Sequence, residues 1–201
     1  MIPLTILPAL FQDVLAGLLY VSILMPLYFL VMDALDDFLL HHPLSLLVCV
    51  GVPLLMCAYY PPLDRWSTAR GDTTVVVSVA SGVYAGAHIA YQTGFMHHGD
   101  AEPPFEGGDL GSVNVLLMSL RLLIGVVFLV ATRAIVKSSS LKLIGRITNV
   151  DTTKKENLQQ LTVELFYKFS TYFSMAIVCM WIVPIVFLML GIQRDSYFYE
   201  L

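Results

Sequence analysis

The stretch Val14–Met32, VLAGLLYVSILMPLYFLVM, runs for 19 residues without a charged side chain. A helix needs about 20 apolar residues to cross the hydrocarbon core of a bilayer, so this stretch reads as a membrane span that ends at Asp33, Asp36 and Asp37. Working outward, four more stretches have the same character. The second span is Pro43–Tyr60, bounded by Pro61-Pro62. The third, Thr74–Gln92, is weaker and rich in Ser, Gly and Ala, and reads as a helix buried among others. The fourth is Val113–Thr132 and the fifth Phe169–Ile192. The expected fold is therefore all-α, a polytopic transmembrane helix bundle of about five spans.

Composition agrees. The 201 residues are 57% hydrophobic and only 13% charged, too few charges to cover a soluble domain of this size. The natural surroundings are membrane lipids. The net charge of −4 is spread over separate loops, and no nucleic-acid partner is expected. The first dozen residues carry no Lys or Arg and so lack the basic start of a secretory signal peptide. Cys49, Cys57 and Cys179 lie inside apolar stretches, in no metal-ligand spacing, and read as small core hydrophobes. No repeat and no boundary divides the bundle.

The third span carries a stripe of small residues, Ser78, Gly82 and Gly86. Without side chains to hold backbones apart, such a stripe lets another helix approach closely. It serves either self-association with a second chain or packing within this one. His88 in the same span is either a proton carrier or a satisfied interior residue. Arg121 lies in the fourth span, where a charge costs about 2.5–3.5 kcal/mol at the bilayer centre, so it has a partner or reaches the interface. The loop Thr93–Ser112, rich in Gly, Pro and acid, has His97-His98 near its start, but no Cys, Asp or Glu set completes a metal site, and it reads as a solvated loop. The stretch Arg133–Lys168 is long and basic. Within it Thr153 and Glu156 form a capping box, and Leu158, Leu161 and Leu165 share a face, which predicts a short helix along the membrane surface running into the fifth span.

The richest chemistry sits between the second and third spans, in Asp64-Arg65-Trp66-Ser67-Thr68-Ala69-Arg70-Gly71-Asp72-Thr73. Arginine holds phosphate in a forked geometry, and hydroxyls and backbone N–H groups add donors. Arg65, Ser67, Thr68 and Arg70 are thus candidates for binding a lipid phosphate head group, with Gly71 permitting a tight turn. Alternatively, Asp64, Arg65, Arg70 and Asp72 pair among themselves and fix the loop. Spacing alone leaves both readings open.

This block resembles a segment of the sphingosine-1-phosphate phosphatases, endoplasmic-reticulum members of the type 2 phosphatidic acid phosphatase superfamily. Supporting segments are Asp13-Val14-Leu15-Ala16-Gly17, Arg121-Leu122-Leu123-Ile124-Gly125, and Val163-Glu164-Leu165 followed by Tyr167-Lys168. The resemblance covers roughly residues 13–192; residues 1–12 fit it poorly, so the chain divides into an atypical N-terminal segment, 1–12, and a membrane region, 13–201. It implies a metal-free, cofactor-free hydrolase of phosphorylated sphingoid bases. A histidine attacks phosphorus, a phosphohistidine forms, and an aspartate four residues later orients the imidazole. Asp13 matches that orienting carboxylate. Ala9 stands where the nucleophile is expected, and the Lys/Arg-Pro and Ser-Gly-His motifs that cradle phosphate are missing. The resemblance therefore implies a C-terminal fragment without turnover of its own. It also expects a proline near Phe166, where this chain has none. Counting spans returns the Asp64–Thr73 block to the side of Asp13, the lumen in that family. The same count puts the basic 133–168 stretch there too, against the positive-inside tendency. A second reading is a non-catalytic membrane protein that pairs with a full-length phosphatase. A third, motivated by Arg121 and His88, is a transporter fragment.

Overall fold

A computed structural model describes residues 6–60, 69–95, 112–149, 155–158 and 160–192. It is helical, with no strand among the described residues. The chain resolves into two compact units, Met1–His42 and Pro43–Leu201.

The first unit holds one helix, α1, Ile6–His41. It begins before the expected span and continues past Asp33, Asp36 and Asp37 to His41. The acidic residues do not stop it, because carboxylates on an exposed helix face are solvated and one is paired: Asp37 and His41, four residues apart, meet at 2.9 Å. Its apolar side chains, Leu19, Phe29 and Leu30 among them, are exposed, as lipid-facing residues are.

The second unit is a bundle around α3, Ala69–Gln92. Helix α2, Ser45–Ala58, has only 14 residues. At 1.5 Å per residue that is about 21 Å, short of the roughly 30 Å hydrocarbon core. The second expected span is thus a short apolar helix, and four helices among the described residues are long and apolar enough to cross a membrane: Phe11–His41, Ala69–Gln92, Val115–Thr148 and Leu161–Met189. Helix α2 stops at Ala58 because Tyr59 leaves helical geometry and Pro61 disfavours helical backbone at the residue before it. It lies antiparallel to α3: Ser45 pairs with His88, and Ser81 Oγ donates to the carbonyl of Cys49.

Helix α4, Ser112–Thr148, extends 16 residues beyond the expected Thr132. Much of the basic stretch is therefore a continuation of the fourth span. Ser140 and Ile144 are buried while Arg133, Lys137, Lys142 and Arg146 stay exposed, so one apolar stripe keeps the helix on the bundle as it leaves the hydrocarbon. The expected surface helix is not found as one piece. A single turn, α5, Lys155–Leu158, is followed by extended backbone at Gln160 (φ −62°, ψ 135°), which breaks the path into α6, Leu161–Ile177. Thr153 lies outside the described residues. Helix α6 runs through Phe166 unbroken, as the missing proline predicts. It passes through a π-helical segment, Val178–Ile182, into α7, Val183–Met189. Pro184 lacks an N–H and its ring crowds the carbonyl four residues back; a widened turn just before it relieves that conflict.

Helix α3 is the hub, as its small-residue composition suggested. Its stripe packs against α6 and the π segment of the same chain. A Cβ on Gly82 would stand 2.5 Å from the Phe173 carbonyl oxygen and 2.7 Å from Ala176 Cβ; one on Gly86 would stand 2.9 Å from Met180 Cβ. Ser78, between them and α3's start, is fully buried, and its hydroxyl donates to the Thr74 carbonyl. Helices α3 and α6 run parallel, with Arg70 level with Glu164 and Gly86 level with Ile177. Helix α4 packs on α6 and runs antiparallel to it, Arg121 near its start meeting Ile192 beyond the end of α7.

Candidate functional site

Parallel packing places the first turns of α3 and α6 side by side. Arg70 comes from the first turn of α3, Glu164 from the first turn of α6, and Lys168 from the next turn of α6. Arg70 Nη2 donates to Glu164 Oε2 at 2.9 Å, and Lys168 Nζ to Glu164 Oε1 at 2.9 Å. The Glu164 side chain is 7% exposed, that of Arg70 24% and that of Lys168 19%. One carboxylate therefore serves two cations, and the cluster carries a net +1 at the end of the bundle. Two helix N-termini, each with its positive dipole end, add to that positive potential. Arg70 Nε has no acceptor among the described residues.

Gly71 makes the cluster possible in a way that differs from the expected turn. It sits inside α3 with helical backbone, buried, and a Cβ there would overlap the Lys168 ammonium and the Glu164 carboxylate. Close approach, not a turn, requires glycine. Arg70 pairs with Glu164, 94 residues away; Asp64 and Arg65, which the alternative reading would pair within the block, lie outside the described residues. Asp72 is exposed on the first turn of α3, where a carboxylate complements the dipole. Arg65, Ser67 and Thr68 lie outside the described residues, as do His97 and His98. Asp13 is exposed on α1, in the other unit.

The remaining candidates find interior partners. His88 is buried, its Nδ1 2.9 Å from Ser45 Oγ, which joins α3 to α2. Arg121 Nε donates to the carbonyl of Ile192 beyond the end of α7, where the negative end of a helix dipole favours a cation. No group of three or more His, Cys, Asp or Glu among the described residues is arranged to hold a metal ion. Glu164 and Lys168 were missed as partners of Arg70 in the sequence. Four-residue spacing on a helix signals the Glu164–Lys168 pair alone.

The cluster thus sits at one end of a helical bundle whose long helices are apolar enough to cross a membrane. The chain is similar to sphingosine-1-phosphate phosphatase 1 of Mus musculus, 28% identical over 187 residues covering 90% of this chain and 43% of that protein. It is also similar to sphingosine-1-phosphate phosphatase 2 of Homo sapiens, 28% identical over 182 residues covering 90% of this chain and 46% of the relative. The chain spans about half the length of the curated relatives it matches. No protein-family model matches it, and no solved structure gives a significant match.

Proposed function

We propose that this chain is the membrane part of a lipid phosphate phosphatase that hydrolyses long-chain base phosphates through a phosphohistidine, in the endoplasmic reticulum. The observation that carries the reading is the Arg70–Glu164–Lys168 cluster. It joins Asp64–Thr73 and Val163–Lys168, two of the segments that carry the resemblance to the sphingosine-1-phosphate phosphatases. In this reading Arg70, with Arg65, Ser67 and Thr68 beside it in sequence, faces the phosphate head group. Glu164 holds Arg70 and Lys168 in place and leaves the net positive charge available. Asp13 orients the imidazole of the nucleophile and stabilises the imidazolium formed during transfer.

Ala9 stands four residues before Asp13, so the chain as given supplies no nucleophile at that position and is inactive alone. The test is phosphate release from a long-chain base phosphate by membranes carrying only this chain. The expected rate equals that of membranes without it. Release above that level which disappears in Asp13→Asn would overturn the assignment of roles.

A second reading, a non-catalytic chain that associates with a full-length phosphatase, is favoured by the same Ala9. Co-purification of this chain with the full-length enzyme from membranes carrying both would support it, and its absence there would contradict it.

A further inference from the structure

Helix α4 carries Arg121, Arg133, Lys137, Lys142 and Arg146, and no Asp or Glu. The last four of these cations follow the apolar stretch Val113–Thr132 on the same unbroken helix. That stretch alone fills about 30 Å of hydrocarbon, so the helix places all four at or beyond the membrane surface. Their surroundings follow a four-residue rhythm. Ser140 and Ile144 are buried on the bundle, with Thr132 and Val136 half-buried in the same row. Lys142 and Arg146 stand two residues from that row and so on the opposite side of the helix. Arg133 and Lys137 follow the row on one flank. Ile135, Leu143 and Ile147 precede it on the other, 65%, 51% and 67% exposed. All four cations are exposed, and none makes an ion pair among the described residues. The Arg70–Glu164–Lys168 cluster differs on both counts, being part-buried and paired.

We infer that the outer half of α4 is a binding surface for anionic glycerophospholipid, a bilayer component of the phosphatidylserine class. Two observations select this occupant. Charge complementarity calls for an anion, since no carboxylate on α4 balances the four cations. The apolar flank calls for that anion to be a lipid. An acidic soluble protein would leave Ile135, Leu143 and Ile147 against water or against its own charges, whereas the boundary between head groups and acyl chains accepts both flanks at once. A basic segment that continues directly out of a membrane span is held where anionic head groups are densest. Side chains on a helix lean toward its N-terminus, here the membrane side, so Lys142 and Arg146 reach back toward the lipid phosphates. Lipid held there ties the outer half of α4, which packs on α6, to the membrane surface. The surface is distinct from the cluster and does not rest on the function proposed for it.

The test is the lipid preference of the whole chain in nanodiscs, read by electron paramagnetic resonance as the association of spin-labelled phosphatidylserine relative to spin-labelled phosphatidylcholine. In wild type the serine lipid should associate about fivefold more strongly, the worth of one cation near an anionic head group. Raising the salt from 0.05 to 1 M should erase the preference, because exposed charges are screened. The variant carrying Arg133→Gln, Lys137→Gln, Lys142→Gln and Arg146→Gln should show equal association of the two lipids. Its helical signal and unfolding temperature should match wild type, since the four side chains are exposed and unpaired. Should that variant fail to fold, Lys142→Gln with Arg146→Gln, the pair opposite the bundle, should still lower the preference at low salt. A preference that persists in the folded variants would overturn the proposal and trace the effect to Arg70 and Lys168, which they retain. No preference in wild type would overturn it outright. If wild type in zwitterionic nanodiscs then bound poly-glutamate and the fourfold variant did not, the surface would belong to an acidic protein.

Discussion

Single residues decide how closely α3 and α6 approach. At Gly82 the obstacle to a side chain is the Phe173 carbonyl, which is backbone and cannot swing aside. Gly82→Ala should therefore cost about 1–3 kcal/mol by overpacking, read as a lower unfolding temperature in nanodiscs, whereas Gly17→Ala, with nothing within 4 Å in the interior of α1, should hold or raise it. At Gly71 the obstacle is the flexible end of Lys168, which can move. Gly71→Ala should keep the fold and displace the ammonium from Glu164. Glu164 is the keystone of the cluster: Glu164→Gln leaves two cations part-buried without a counter-charge and should destabilise the unit by roughly 3 kcal/mol. Adding Lys168→Met should recover part of that loss, and a double-mutant cycle on the two unfolding free energies measures the recovery. The polar block singled out Arg70 and Gly71 in the sequence. Their partner was not, because nothing local says that residue 70 meets residue 164. Only the parallel packing of two helices that are distant in sequence brings them together.

At the scale of elements, apolar length located the spans well and their ends poorly. Helix α3 ends at Gln92, as expected from its pattern. Helices α1 and α4 overrun their apolar stretches, because a helix does not end where its hydropathy does. Backbone hydrogen bonds continue through Asp33–Asp37 and through Arg133–Arg146, with no Gly or Pro between Asp33 and Pro43 or between Arg133 and Gly145. Gly145 itself lies within the last turn of α4. The continuity of α4 is testable. Ser139→Pro removes a helical hydrogen bond and adds a ring clash, and should cost about 3 kcal/mol or more if Arg133–Thr148 is helix. An unchanged unfolding temperature would mean that this segment is a loop. The short α2 was equally hidden, since Pro43–Tyr60 is apolar throughout while only Ser45–Ala58 is helical.

For the whole molecule, hydrophobic content announced a helical membrane protein and the motifs announced its relatives, while the site emerged only from the packing. The seam of small residues on α3 draws α6 alongside in parallel, parallel packing brings two helix N-termini together, and one carboxylate gathers two cations between them. The account's central claim is that this net positive end recognises the phosphate of a lipid. The most direct test is the affinity of the chain in nanodiscs for a long-chain base phosphate, measured for wild type, Lys168→Gln and Glu164→Gln, with the folded fraction determined for each. Lys168→Gln lowers the charge of the cluster and Glu164→Gln raises it, so the account predicts shifts of opposite sign: weaker binding in the first and tighter binding in the folded fraction of the second. Equal affinity in all three would contradict it, and the cluster would then be a structural tie between α3 and α6 alone.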